Sequence, residues 1–231
     1  MEIRALASGS KGNAYLVSDG LTPLLIECGI KFPDLRRMLN FRMSEIVGCL
    51  ISHEHNDHCR AVQETLKAGI DCYMSLGTAR ALGVSNHRVH IVWAQEQFTV
   101  GTWTILPFDT VHDAVEPLGF LLSSRAGKLL YLTDTAYCKY RFQGLTHIMI
   151  ECNYSLDILR ENTANRTISV DIKNRIIRTH FSLENVKEFL RANDLSQVQE
   201  IWLLHLSDTN SDAGRFKQEI QAITGKPVYV A

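Results

Sequence analysis

Four apolar runs in this chain each end on a side chain suited to binding a metal ion. Ser52-His53 closes the run from Val47, Val111-His112 a second, Thr133-Asp134 the run from Leu129, and His205 follows Ile201–Leu204. Short apolar runs bounded by turn formers read as buried strands. In α/β proteins, binding groups collect on the loops that leave strand C-termini. A chain that delivers metal-type side chains from four strand ends is therefore constrained to an architecture in which those ends meet.

The remaining pattern agrees. Strand-like runs fall at Ile3–Leu6, Ala14–Val17, Leu24–Glu27, Asp71–Met74, Val89–Trp93, Trp103–Phe108, Leu118–Leu122 and Pro227–Val230. Helical periodicity is expected at Phe32–Leu39, Asp57–Ala68, Asn185–Ala192 and Gly214–Ile223, with Ser182 placed to cap the third. No repeat, low-complexity stretch or linker composition interrupts the 231 residues, so a single domain spanning 1–231 is expected.

The densest chemistry lies in His53-Glu54-His55-Asn56-Asp57-His58. His53 and His55 on a loop can aim at one ion, while Asp57 and His58, at the start of the following helix, can aim at a second. His112 would complete the first site, His205 the second, and Asp134 would bridge them. Imidazole with carboxylate suits zinc, and also manganese or iron. Two divalent metal ions are therefore the expected cofactors. The alternative for the first segment is a histidine-rich surface loop. For His112, Asp134 and His205 taken singly it is an ordinary structural role.

Composition sets limits on partners. Net charge is −1 and Lys/Arg residues form no block, whereas a protein tracking long nucleic acid usually shows a basic stripe. A small substrate is favoured on that ground, with long nucleic acid second. No apolar run reaches the ~18–20 residues of a membrane span, and the N-terminus lacks a signal pattern. A cytoplasmic protein, of the producing or infected cell, without membrane partners is expected. Six cysteines without a C-x-x-C pair read as reduced, mostly buried thiols.

The order H-x-H-x-D-H, His, Asp, His resembles the metallo-β-lactamase superfamily over essentially the full chain. The runs Ala7-Ser8-Gly9-Ser10-Lys11-Gly12-Asn13 and Leu204-His205-Leu206-Ser207 resemble its YycJ/WalJ branch and phage-encoded relatives. The resemblance implies an α/β fold, the αββα sandwich, with the metal site at one edge. One departure is visible: the superfamily usually carries Asp at the end of the third strand, as support for the ligands, and Glu27 stands there instead. The antibiotic-hydrolysing branch uses Cys in its second site, and here Asp57, His58 and His205 with bridging Asp134 take that role, as in the phosphodiesterase and nuclease branches. Two ions can acidify a shared water; the hydroxide so formed is the expected nucleophile, with Asp57 and Asp134 positioning it.

Ile150-Glu151-Cys152-Asn153-Tyr154 and Thr179-His180-Phe181-Ser182 resemble the Glu and His motifs of tRNA 3′-processing endonucleases. That likeness implies His180 as proton donor to the leaving group and Glu151 as the partner that holds its ring and raises its pKa. Their alternatives are a helix-start histidine and a half-buried carboxylate. Ser8, Ser10 and Asn13 on the first glycine-bearing loop, with Asn153 and Ser182, are candidate substrate contacts, the alternative for the loop being a tight turn. His87, His90 and His147 have no place in the pattern and read as non-ligands. Trp93, Trp103 and Trp202 read as core. The segment Tyr137-Cys138-Lys139-Tyr140-Arg141 mixes aromatic and basic residues, as a nucleotide contact or a solvated loop.

The leading expectation is a binuclear phosphodiesterase acting on a nucleotide, especially a 3′,5′-cyclic mononucleotide. Resemblance to the phage-encoded anti-Pycsar enzymes, which degrade cyclic-nucleotide immune signals, supports this and implies a homodimer. The runner-up is a DNA or RNA exonuclease like the YycJ/WalJ branch. A thioester hydrolase and a non-catalytic metal-holding binder are further readings, the latter requiring an eroded ligand set that the sequence does not show.

Overall fold

A computed structural model describes residues 1–231. Its strands fall into two sheets flanked by helices, a mixed α/β architecture as expected. Contacts divide the chain into two units that interleave in sequence. Unit 1 comprises Met1–Asp109 and Ala114–Gly127; unit 2 comprises Thr110–Asp113 and Lys128–Ala231.

In unit 1 a six-stranded sheet runs in chain order: β1 (Glu2–Ala7), β2 (Ala14–Ser18), β3 (Pro23–Ile26), β4 (Cys49–Leu50), β5 (Cys72–Met74) and β6 (Val89–Ile91). The first three strands are antiparallel and the rest join in parallel. Crossovers to the parallel strands need helices. They are supplied by α1 (Phe32–Met38), the pair α2 (Asn56–Cys59) and α3 (Val62–Lys67), and α4 (Leu76–Ala81). Leu25, Leu35, Cys49, Ile51, Val62, Leu66 and Met74 form the core between this sheet and its helices. The strands β7 (Phe98–Val100), β8 (Trp103–Asp109) and β9 (Leu118–Ser124) follow as an antiparallel meander.

Unit 2 carries four parallel strands side by side: β10 (Gly127–Leu132), β11 (His147–Glu151), β12 (Glu200–Leu204) and β13 (Val228–Val230). Parallel strands covered on both faces read as unbroken apolar runs, and Ile148–Ile150 and Leu129–Leu132 are wholly buried. The helices are α5 (Leu156–Ala164), α6 (Val170–Thr179), α7 (Leu183–Ala192) and α8 (Ala213–Thr224). Helix α7 starts where Ser182 Oγ accepts the Asn185 N–H, and it buries Leu183, Val186, Phe189 and Leu190 on one stripe. Asp212 caps α8, which ends on Gly225 in the left-handed region.

Three expectations are corrected. The helix expected over Asp57–Ala68 breaks into α2 and α3, because the Ala61 N–H turns aside to the Cys28 carbonyl at 2.9 Å. Periodicity missed α5 and α6; Val170, Ile172 and Ile177 of α6 are exposed, so its apolar positions do not trace a buried stripe. Of the tryptophans only Trp103 is core, donating its indole N–H to Thr22 O. Trp93 lies beyond the end of β6 and is 44% exposed, and Trp202 is partly exposed, stacked on Tyr229. No helix is long and apolar enough to cross a membrane.

Candidate metal centre

Unit 1 brings His53, His55, Asp57 and His58 together. The register sets Ile26 beside Leu50, so β3 and β4 end level. Ser52 Oγ meets His53 Nδ1 at 2.8 Å, which turns Nε2 outward, and His53 Nε2 stands 3.1 Å from His55 Nδ1. Two nitrogens bound at about 2.0–2.1 Å in a tetrahedron stand about 3.4 Å apart. The pair thus fits ligation of a common ion with little adjustment. His58 is fully buried, its ring 4.2 Å from that of His53, and its Nε2 lies 3.5 Å from Asp57 Oδ2.

The Glu27 departure has a visible consequence. Its buried carboxylate accepts the Ser52 N–H through both oxygens at 3.3 Å, and Oε1 lies 3.5 Å from His58 Nδ1. Glutamate thus reaches the His58 ring from the end of β3, where groups of this kind can orient a ligand.

Unit 2 gathers the second set. Leu132 pairs with Ile150, and Ile150 with Leu203, so the C-terminal ends of β10, β11 and β12 lie in one row. Asp134, Glu151 and His205 follow from those ends. His205 Nδ1 stands 3.0 Å from Asp134 Oδ1 and 3.2 Å from Glu151 Oε1. His112 donates its Nδ1–H to the Thr179 carbonyl at 2.7 Å, leaving Nε2 to face Asp134 Oδ2 at 3.5 Å. Burial holds the His112 pKa below the ordinary value against the pull of Asp134, which favours the neutral ring that metal binding would require.

His180 joins this set. Its Nδ1 lies 2.6 Å from Glu151 Oε1, and donor atoms of Asp134, Glu151, His180 and His205 all lie within 4.8 Å of one another. Burial by itself would lower the His180 pKa, but the charge and hydrogen bond of Glu151 outweigh it, and the net shift is upward. Burial likewise raises Glu151, yet His180 overturns that and the carboxyl is held below its usual value. Glu151 Oε2 accepts N–H bonds from Thr135 and Phe181, both at 3.0 Å, which fixes the carboxylate. His180 is the residue that ends α6 rather than one that begins a helix.

Three backbone positions carry a signal absent from the sequence pattern. Glu27, Asp134 and His205 adopt φ of 62°, 39° and 52°, left-handed conformations that cost a non-glycine residue about 1–3 kcal/mol each. Glu27 and His205 follow directly on the ends of β3 and β12, and Asp134 stands two residues past the end of β10. Strain of this kind persists where surrounding bonds over-determine it.

The structure gives the remaining candidates other than Ser10 internal bonds. Asn13 is fully buried; its Oδ1 accepts from the Gly9 N–H and Tyr15 hydroxyl, and its Nδ2 reaches Asp57 O and His58 Nε2 at 3.2 Å. Ser8 Oγ meets the Tyr15 hydroxyl at 2.8 Å, and Ser10 is exposed. Asn153 donates to His205 O, and Ser182 caps α7. His147 is buried, with Nδ1 on Thr146 Oγ1, and His90 stacks on Tyr73 beside Asp71. All six cysteines are free, five of them buried and Cys138 partly so.

A family model described as "Beta-lactamase superfamily domain" matches residues 22–205. The chain is 29% identical over 223 residues to "Exodeoxyribonuclease WalJ" of Streptococcus pneumoniae serotype 2, covering 89% of this chain and 81% of that one. It is 25% identical over 229 residues to "Exodeoxyribonuclease YycJ" of Bacillus anthracis, covering 91% and 84%. Among solved structures, the metallo-beta-lactamase fold protein YhfI from Bacillus subtilis superposes with a TM-score of 0.72 at 15% identity, over 99% of this chain and 95% of that one. That likeness is one of fold.

Proposed function

This chain belongs to the beta-lactamase superfamily, and on that premise we propose that it is a metal-dependent phosphodiesterase acting on DNA strands. His53, His55, His112 and Asp134 would hold one divalent ion, and Asp57, His58, His205 and Asp134 the other. The imidazole and carboxylate donors suit zinc, with manganese as the alternative. The bound ions would supply positive charge against the phosphoryl oxygens and make water acidic enough to attack at neutral pH.

The observation that carries the reading is the 2.6 Å contact between His180 Nδ1 and Glu151 Oε1. A departing alkoxide is a poor leaving group, and a positioned acid is worth about 10²–10⁴-fold. With its Nδ1–H held by Glu151, the His180 ring carries the transferable proton on Nε2 and delivers it to the departing oxygen. Glu151 stabilises the charged ring beforehand and keeps its orientation through the two backbone N–H bonds that fix the carboxylate. Asp57 and Asp134 orient the attacking water.

DNA is placed first because two relatives named as exodeoxyribonucleases align over nine-tenths of the chain. A cyclic mononucleotide is the second reading, favoured by the net charge of −1. The test supplies metal-loaded protein with end-labelled oligonucleotides and, separately, with 3′,5′-cyclic UMP, CMP and AMP. Progressive shortening of the oligonucleotides is expected. Inert oligonucleotides with rapid opening of a cyclic nucleotide would reverse the order, and inertness toward every diester would remove the phosphodiesterase reading itself.

A further inference from the structure

Beside the acid pair, within unit 2, lies a cavity of about 180 Å³ that none of the groups assigned above requires. One wall is the loop from Tyr137 to Arg141, and the other is Phe181 with the face of α7 that carries Asn185, Glu188 and Phe189. Tyr137 is 62% exposed, and Lys139 and Arg141 are exposed on the same loop. Phe181 and Phe189 pack edge to face at 6.3 Å and form an aromatic floor. An aromatic surface rimmed by two cations is the chemistry that holds a base and its phosphate.

The walls are tied to the acid. Glu151 Oε2 accepts from both Thr135 N–H and Phe181 N–H, the residues from which the two walls start. Thr135 Oγ1 then donates to Tyr137 O at 2.8 Å, and Asn185 Nδ2 to Ala136 O at 3.1 Å. The carboxylate that orients His180 thus also fixes the spacing of the cavity. The cavity is thereby joined through main-chain hydrogen bonds to the carboxylate that holds His180.

We infer that this cavity is a nucleotide subsite, which takes the base and phosphate adjoining the scissile bond of a single strand. The inference rests on the phosphodiesterase reading and deepens it, since a substrate reduced to one small diester would leave the cavity unfilled. Tyr137 stacks on the base, Lys139 and Arg141 face the phosphate, and the lone acidic lining residue, Glu188, sits on the opposite wall.

The test compares Tyr137→Ala and Arg141→Ala with the parent on two substrates, oligothymidylate and bis(p-nitrophenyl) phosphate. A lost base–aromatic stack weakens binding about tenfold. The ratio of oligothymidylate to small-diester kcat/KM is therefore expected to fall about tenfold, chiefly through KM, with Tyr137→Phe restoring it. Arg141→Ala should also flatten the salt dependence of KM. An unchanged ratio, or an equal fall on both substrates, overturns the subsite. Thermal melting checks that each variant folds, and Arg141→Ala stands independently if Tyr137→Ala does not. Should the parent hydrolyse no diester, fluorescence polarisation with labelled oligothymidylate separates the two ideas. Binding about tenfold weaker in Tyr137→Ala would then retain the subsite while the catalytic reading falls, and equal binding would remove both.

Discussion

His180 and His147 are both histidines in contact with a glutamate, yet their surroundings send them in opposite directions. At His180 the Glu151 carboxylate is 2.6 Å away and outweighs burial, so the pKa rises above its ordinary value. At His147 burial dominates; Glu200 is 3.8 Å distant and cannot compensate, so the pKa falls below its ordinary value. His180→Ala is expected to lower turnover by about 10²–10⁴-fold while metal content by elemental analysis stays at the parental level. Loss of metal would make His180 a ligand instead. For His147 the unfolded chain binds the proton more readily than the folded one. Its contribution to stability is complete above the unfolded pKa of about 6.5 and declines as pH falls below that value toward the lower folded one. Parent and His147→Gln compared by urea unfolding between pH 7.5 and 5 should show a shallower decline in the variant. A parallel decline would place the titration elsewhere.

At the scale of elements, helix α2, which carries the candidate ligands Asp57 and His58, is held by backbone rather than by its own length. Four residues are too few for a stable helix. Asn13 N–H donates to Asp57 O at 2.7 Å, Cys28 N–H to His58 O at 2.9 Å, and Gly29 N–H to Asn13 O at 2.8 Å. The approach is so close that a Cβ on Gly29 would stand 1.7 Å from Asp57 O. Gly29→Ala must therefore push α2 away, costing about 3 kcal/mol and metal retention together. Gly69, at φ 89° with nothing near its missing Cβ, is the control: Gly69→Ala should cost about 1–2 kcal/mol of backbone strain and leave metal binding intact. Thermal melts with metal analysis decide; equal behaviour of the two variants would refute the close-approach account. The sequence marks His53 through His58 as a candidate ligand segment. It does not show that Asn13 and Gly29 support it, because the atoms of Asp57 and His58 that they approach lie about thirty to forty-five residues away in the chain.

For the whole molecule, the residues proposed as ligands are drawn from two units that interleave along the chain. If both sets bind the same pair of ions, metal adds directly to folding stability. Each site contributes about 4 kcal/mol at a thousandfold excess over Kd. Exhaustive chelation should lower the melting temperature substantially, and zinc titration should restore it with an end point of two ions per chain. Asp134→Ala should lower stoichiometry at both sites, whereas removal of one ion alone would deny it a bridging place.

The ligand types, their order and the apolar strands before them are legible in the sequence because strand burial is periodic and imidazole–carboxylate chemistry is local to each residue. The α/β class follows from the same reading, whereas Glu151 and His180 are singled out only through a likeness of motifs. Helices α5 and α6, the exposure of Trp93 and the bonding of Asn13 do not, because each depends on what lies opposite in space rather than beside in sequence. The left-handed backbone of Glu27, Asp134 and His205 belongs with these: local preference disfavours it, and only the parallel strand registers and the bonds they impose hold it in place. Tertiary structure alone showed that the Glu151 carboxylate expected beside His180 also accepts from Thr135 and Phe181, since hydrogen bonding requires atoms within about 3 Å and the chain separates Glu151 from these two by sixteen and thirty positions.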